Sequence, residues 1–153
     1  MNKKKRILIT GGAGYLGSMI ATYLVKEGHE VTIIDKLIFS KTSLLHLYFF
    51  KNFKFIHGNV LDKTLIKKNL KNKDFIIPLA ALVGAPLCDK HPRLTKLLNV
   101  EAIRTICELS NIKQRIIYLT SNSGYGIGKK DKYCDENSPL NPISLYGKVK
   151  VEA

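Results

Sequence analysis

The stretch Arg6-Ile7-Leu8-Ile9-Thr10-Gly11-Gly12-Ala13-Gly14-Tyr15-Leu16-Gly17 decides the fold. Arg6 to Thr10 is a short apolar run ended by glycines, the pattern of a buried strand. Tyr15 to Gly28 carries apolar residues at helical spacing and stops at a glycine, a natural helix end. A strand, a glycine-rich turn and a helix therefore follow one another within the first 28 residues. The glycines allow a tight turn and remove side chains that would obstruct a pyrophosphate. The helix N-terminus adds unpaired N–H groups and a favourable dipole. A glycine triplet alone is weak evidence, but here it has the context the phosphate turn requires.

The same alternation continues along the chain. Val31 to Asp35 reads as the second strand, Lys41 to Asn52 as a helix and Phe53 to His57 as the third strand. Asp62 to Asn72 reads as a helix with Asp62 as its N-cap. Asp74 to Leu79 is the fourth strand, Arg93 to Asn111 a helix, Arg115 to Thr120 the fifth strand, and Ser144 to Ala153 a last helix. Strands that are apolar on both faces and alternate with helices predict an α/β fold, a doubly wound parallel sheet of the Rossmann type. Ligands in such folds bind beyond the carboxyl ends of the strands. Those ends are Thr10-Gly11-Gly12, Asp35, Gly58-Asn59, Leu79-Ala80-Ala81 and Thr120-Ser121.

Asp35 lies 24 residues after Gly11, at the end of the second strand. A carboxylate there can accept both ribose hydroxyls of an adenosine and repels a 2′-phosphate. That favours NAD over NADP, a preference that Lys36 next to it softens. Near the other end, Tyr146-Gly147-Lys148-Val149-Lys150 sets Tyr146 and Lys150 four apart, on one helix face. A free tyrosine, with a pKa of ~10, is a poor base at pH 7. A nearby ammonium stabilises its phenolate. Ser121, ending the fifth strand, is placed to hold a substrate hydroxyl.

Composition limits the other possibilities. The chain has 153 residues, 45% hydrophobic and 24% charged, an ordinary globular composition. That length suits about one domain. No apolar run reaches the ~18 residues of a membrane span. The basic start, Met1 to Arg6, is followed by too short an apolar stretch for a signal peptide, so the expectation is a cytoplasmic protein. The net charge is +13, and 21 of the 25 basic residues are lysine. The lysines are scattered apart from Lys3 to Arg6 and Lys129 to Lys132, and A/T-rich codons explain their number, so no nucleic-acid partner is expected. Cys88, Cys107 and Cys134 match no metal or redox spacing, and the four histidines form no cluster, so no metal is expected.

Taken together, these residues resemble the extended short-chain dehydrogenase/reductase family, in particular its nucleotide-sugar epimerases and dehydratases. The resemblance runs from Ile7 to the last residue. It implies cofactor contacts at Gly11, Gly14, Tyr15, Leu16, Gly17 and Asp35. The family's adenine-contacting pair falls on Asn59 and Val60, where Asn stands for the usual Asp. Its Leu-Ala-Ala after the fourth strand is Leu79-Ala80-Ala81, with Pro78 in place of the usual histidine. Its cofactor-contacting Asn falls on Asn99. Its serine motif falls on Thr120 to Gly126 and makes Ser121 the catalytic hydroxyl, with Ser123 as a fallback.

The resemblance further implies that Tyr146 removes a proton from a sugar hydroxyl while hydride passes to NAD. Lys150 would lower the Tyr146 pKa and hold the nicotinamide ribose. The acid–base pair typical of dehydratases falls on Asn122 and Ser123, which argues for an epimerase or a simple dehydrogenase. Family members are about twice as long, so residues 1–153 read as one incomplete NAD-binding domain lacking the substrate domain. Two functions stay open from the sequence. One is the N-terminal part of a nucleotide-sugar epimerase, completed by a homodimer or a partner chain. The other is a non-catalytic NAD-binding module.

Overall fold

Ile7, Leu8 and Ile9 are at most 4% exposed, and the strand they form, β1 (Arg6–Thr10), lies at the centre of the sheet. The computed structural model describes residues 3–128 and 133–153. Met1, Asn2 and the Lys129 to Lys132 stretch lie outside the described residues. β1 is followed by α1 (Tyr15–Lys26), β2 (Glu30–Asp35), β3 (Phe53–His57), α2 (Lys63–Leu70), β4 (Phe75–Pro78) and β5 (Arg115–Ile116). All pairings are parallel, in the order β3-β2-β1-β4-β5. The order reverses between β1 and β4. With right-handed crossovers, this puts α1 and α2 on opposite faces of the sheet. Val31, Ile33, Ile34 and Ile76 are buried like the β1 residues, which is why these strands read as continuous apolar runs rather than alternating ones. The fold is thus a Rossmann-type doubly wound sheet.

The local signals for α1 and α2 hold. α1 ends before Gly28, whose φ is +84°. α2 starts at Asp62, whose carboxylate accepts from the Leu65 N–H at 3.0 Å. Two sequence expectations fail. Lys41 to Asn52 forms only one 3-10 turn, Leu45–Leu47. The Ser40 hydroxyl accepts from the Thr42 and Ser43 N–H groups, which favours a turn over a helix start. Only Leu44 and Leu47 are buried here, while Tyr48 and Phe49 are exposed, so a longer amphipathic helix has nothing to bury. The fifth strand stops at Ile116 instead of Thr120. Ile117 N–H still reaches Ile76 O at 2.9 Å, but by the ladder's alternation the next donor on β4 would be residue 78. That residue is proline and has no N–H to give.

The chain divides into two compact units. The first is Met1–Ala80 with Thr105–Tyr118, and it contains the whole sheet. The second is Ala81–Arg104 with Leu119–Ala153. The helical stretch expected at Arg93 to Asn111 is α4 (Pro92–Lys96), a π-helical segment (Leu97–Glu101) and α5 (Ala102–Leu109). The sequence reading missed α3 (Ala85–Lys90), whose Pro86 is accommodated in the first turn. The last helix, α6 (Leu145–Glu152), is capped by Ser144, whose hydroxyl accepts from the Gly147 N–H at 3.0 Å. Within the second unit α6 packs against α3, α4, the π-helical segment and a 3-10 turn, Asn122–Gly124.

Candidate functional site

In the first unit the glycine turn leaves β1 at its carboxyl end. Gly11 donates its N–H to Ile34 O at 2.9 Å and has a φ of +72°. A Cβ at this position would overlap the Ala80 backbone nitrogen and lie 2.6 Å from the Ala80 Cα. Glycine is therefore required both by the backbone angle and by the close passage of the turn over the end of β4. Gly14 is the N-cap of α1, and no side chain caps the helix. Gly17 is buried against Gly12 and Gly11, which brings the first turn of α1 down onto the loop. Tyr15 and Leu16 have exposed side chains, so what they present at this end is the helix's first N–H groups. Thr10, fully buried just before the turn, has a hydroxyl without a hydrogen-bond partner among the described residues.

Asp35 ends β2 beside this turn. One carboxylate oxygen accepts from the Ala13 N–H at 3.0 Å and the other from the Leu37 N–H at 2.7 Å. A carboxylate has about four lone-pair sites, so two acceptor positions are left. These fit a pair of ribose hydroxyls. The unpartnered Thr10 hydroxyl, the side-chain-free turn and the uncapped N-terminus of α1 fit a pyrophosphate. Leu79 N–H donates to Thr10 O at 2.8 Å, which fixes Leu79 and Ala80 next to the turn. Asn59 and Val60 follow β3. The Asn59 amide oxygen accepts from the Leu61 N–H at 3.1 Å, and Val60 is buried.

The second unit starts at Ala81, which is half-buried. Its most constrained polar residue is Asn99, in the π-helical segment and 2% exposed. The amide oxygen of Asn99 accepts from Leu82 N–H at 2.9 Å, and its amide nitrogen donates to Leu82 O at 2.8 Å. Asn99 thus clamps the main chain at Leu82, a role the sequence did not signal. π-helical turns are rare and cluster at functional sites.

Ser121 caps the Asn122–Gly124 turn. Its hydroxyl accepts from Ser123 N–H at 3.2 Å and lies 3.1 Å from the Ser123 hydroxyl. This turn rests on α6. A Cβ on Gly147 would come within 2.6 Å of Ser123 O, so the absence of a side chain at Gly147 lets the serine turn sit against the helix carrying Tyr146 and Lys150. The Lys150 ammonium donates to Leu119 O at 2.7 Å, two residues before Ser121. Burial holds the Lys150 pKa below the usual lysine value. Tyr146 is half-buried one helical turn earlier. The second unit thus gathers Ser121, Tyr146 and Lys150 on and beside α6. Gly147 makes that possible, and the sequence reading left it out of the site.

Comparison with known proteins identifies the family. The model of the family described as "NAD dependent epimerase/dehydratase family" matches residues 7–153. A UDP-glucose 4-epimerase of Lactobacillus helveticus is 32% identical over 151 residues, covering 95% of this chain and 44% of that protein. A UDP-N-acetylglucosamine 4-epimerase structure from Methanobrevibacter ruminantium M1, in complex with UDP-N-acetylmuramic acid, superposes with a TM-score of 0.87 at 30% identity. It covers 97% of this chain and 48% of that one. A UDP-glucuronic acid 4-epimerase from Bacillus cereus, in complex with UDP-glucuronic acid and NAD, gives a TM-score of 0.85 at 27% identity. That match covers 96% of this chain and 49% of the other. The chain spans about half the length of the curated relatives it matches.

Proposed function

Because the chain belongs to the NAD dependent epimerase/dehydratase family, we propose that it serves NAD-dependent oxidoreduction of a nucleotide-linked sugar, of the epimerase type. The observation that carries this reading is the seating of the Ser121 turn on α6 beside Tyr146 and Lys150. The glycine turn, Thr10 and the N–H groups opening α1 would hold the pyrophosphate of NAD, and Asp35 the adenosine ribose. NAD, when bound, supplies the hydride acceptor. The chain's own groups manage the proton. Tyr146 takes it from the reacting sugar hydroxyl onto its phenolic oxygen. Lys150 lies one turn away and is fixed through Leu119 O, and its positive charge stabilises the tyrosinate that must be present beforehand. The Ser123 N–H donates into the Ser121 oxygen and leaves the Ser121 O–H to turn from Ser123 to the sugar oxygen.

Elimination of water from the sugar needs a further acid and base. The residues after Ser121 are Asn122 and Ser123, which carry no carboxyl group. That favours an epimerase or dehydrogenase over a dehydratase. The test compares wild type with Tyr146→Phe in the protein as its gene encodes it, using UDP-hexoses as substrates and calorimetry for NAD affinity. The expected result is turnover abolished with NAD affinity unchanged. Equal loss of both would refute the role of Tyr146.

A further inference from the structure

The positive charge of this protein is not evenly spread. A cavity of about 660 Å³ opens within the first unit, at the amino ends of β2 and β3. These are the strand ends opposite to the glycine turn. Five lysines line it, and they come from separate places in the chain: Lys4 before β1, Lys26 at the end of α1, Lys51 and Lys54 around the start of β3, and Lys73 just before β4. The lining has one carboxylate, Glu30, and Lys4 pairs with it at 3.2 Å. The fold therefore lines one concavity with four further lysines and no second acid in its wall.

Lys73 shows what this convergence costs. Its ammonium donates to the Thr32 hydroxyl at 2.6 Å and is half-buried. Burial lowers its pKa, the charges of Lys54 and Arg6 push in the same direction, and Glu30 and Asp74 oppose them. Like charges gathered in a recess repel one another, and a bound anion relieves that repulsion. The volume lies in the range of small-molecule sites, about 300–1,000 Å³. Lysines supply compact point charges of the kind that bind phosphate groups. We infer that this recess binds a small, multiply charged phosphate anion, at a site separate from the glycine turn.

Titration calorimetry of the full chain with inorganic tripolyphosphate tests this. The expected result is saturable one-to-one binding. The triple variant Lys26→Gln/Lys51→Gln/Lys54→Gln should bind about tenfold more weakly or worse, since three partly screened charge contacts of about threefold each multiply to more than that. An equal charge change on the exposed face of α2, Lys63→Gln/Lys67→Gln/Lys68→Gln, should leave the affinity within about twofold, because exposed and distant charges are largely screened. Equal loss in both triple variants would show diffuse attraction and overturn the site. Undiminished binding in the recess variant would put the anion elsewhere, at the glycine turn included, and overturn it too. Should the triple variant unfold, Lys54→Gln alone, at an exposed position of β3, should weaken binding about threefold or more. A short single-stranded RNA that displaces tripolyphosphate from wild type at lower phosphate concentration, and loses affinity equally in both triple variants, would overturn the small-ligand reading in favour of nucleic acid.

Discussion

In the first unit, the groups proposed to meet a nucleotide are mostly backbone: a glycine turn, the N–H groups opening α1, and a carboxylate held by two main-chain donors. In the second unit they are side chains: the hydroxyl of Ser121, the phenol of Tyr146 and the ammonium of Lys150. The supports differ in the same way. A ladder of parallel strands with an aliphatic core holds the first unit. The second has no strand among its described residues; it buries Leu82, Cys88, Val100, Ile103 and Val149 and adds single polar clamps and close glycine contacts. Backbone recognition tolerates many side chains but not an added Cβ in the wrong place. Side-chain chemistry tolerates modest shifts of the scaffold but not loss of one functional group.

The largest expected effect tests the first half of that contrast. Gly11→Ala should destabilise by about 3 kcal/mol or more, because a left-handed backbone costs about 1–3 kcal/mol for alanine and the Cβ overlaps Ala80 as well. For a chain of this size that is a fall in Tm of roughly 6–12 °C. Gly28→Ala is the control. Its φ is also positive, but no atom lies within 4 Å of an added Cβ, so the cost should be only the strain, about 1–2 kcal/mol. Equal melting temperatures for the two variants would show that the passage over Ala80 is not tight.

Asn99→Leu comes next and tests the second unit. It leaves the Leu82 N–H buried without its partner and the Leu82 C=O with only the Cys88 thiol at 3.5 Å, which should cost about 1–3 kcal/mol. Chemical denaturation of wild type and variant measures it, and a cost under about 0.5 kcal/mol would mean the clamp is not structural.

The smallest effect concerns pH. The Lys150 pKa is lowered in the folded protein, so near neutral pH its buried charge costs stability. As pH rises through the folded value towards that of an unfolded lysine, the unfolded chain binds more protons than the native one, and stability rises. Wild type should therefore gain stability relative to Lys150→Met as the pH rises above neutral towards the unfolded lysine value of about 10.4. Parallel stability curves for the two proteins over that window would rule out the buried ammonium.

Much of the first unit could be read directly. The strands are unbroken apolar runs, Asp62 caps the helix that follows it directly, and the glycine turn and Asp35 stand at the ends of those runs. The helix expected at Lys41 to Asn52 went wrong for the opposite reason. Its hydrophobic residues are numerous, but only Leu44 and Leu47 are buried. In the second unit Ser121, Tyr146 and Lys150 stood out by spacing and resemblance, while the roles of Asn99 and Gly147 stayed hidden. Asn99 meets a main chain 17 residues away, and Gly147 meets a carbonyl 24 residues away. Neither distance leaves a periodic trace in the sequence.

The sequence alone determined the succession of the five strands, the turn that needs glycines, and the tyrosine and lysine set one helical turn apart. These follow from burial periodicity, backbone angles and helical pitch, which act between near neighbours. The tertiary structure decided where β5 ends, because that depends on Pro78 facing it across the sheet without an N–H. It decided which serine turn could lie against α6, because that depends on an absent Cβ. It also decided that lysines scattered through the sequence converge on one recess, since chain separation says nothing about which charges folding brings together.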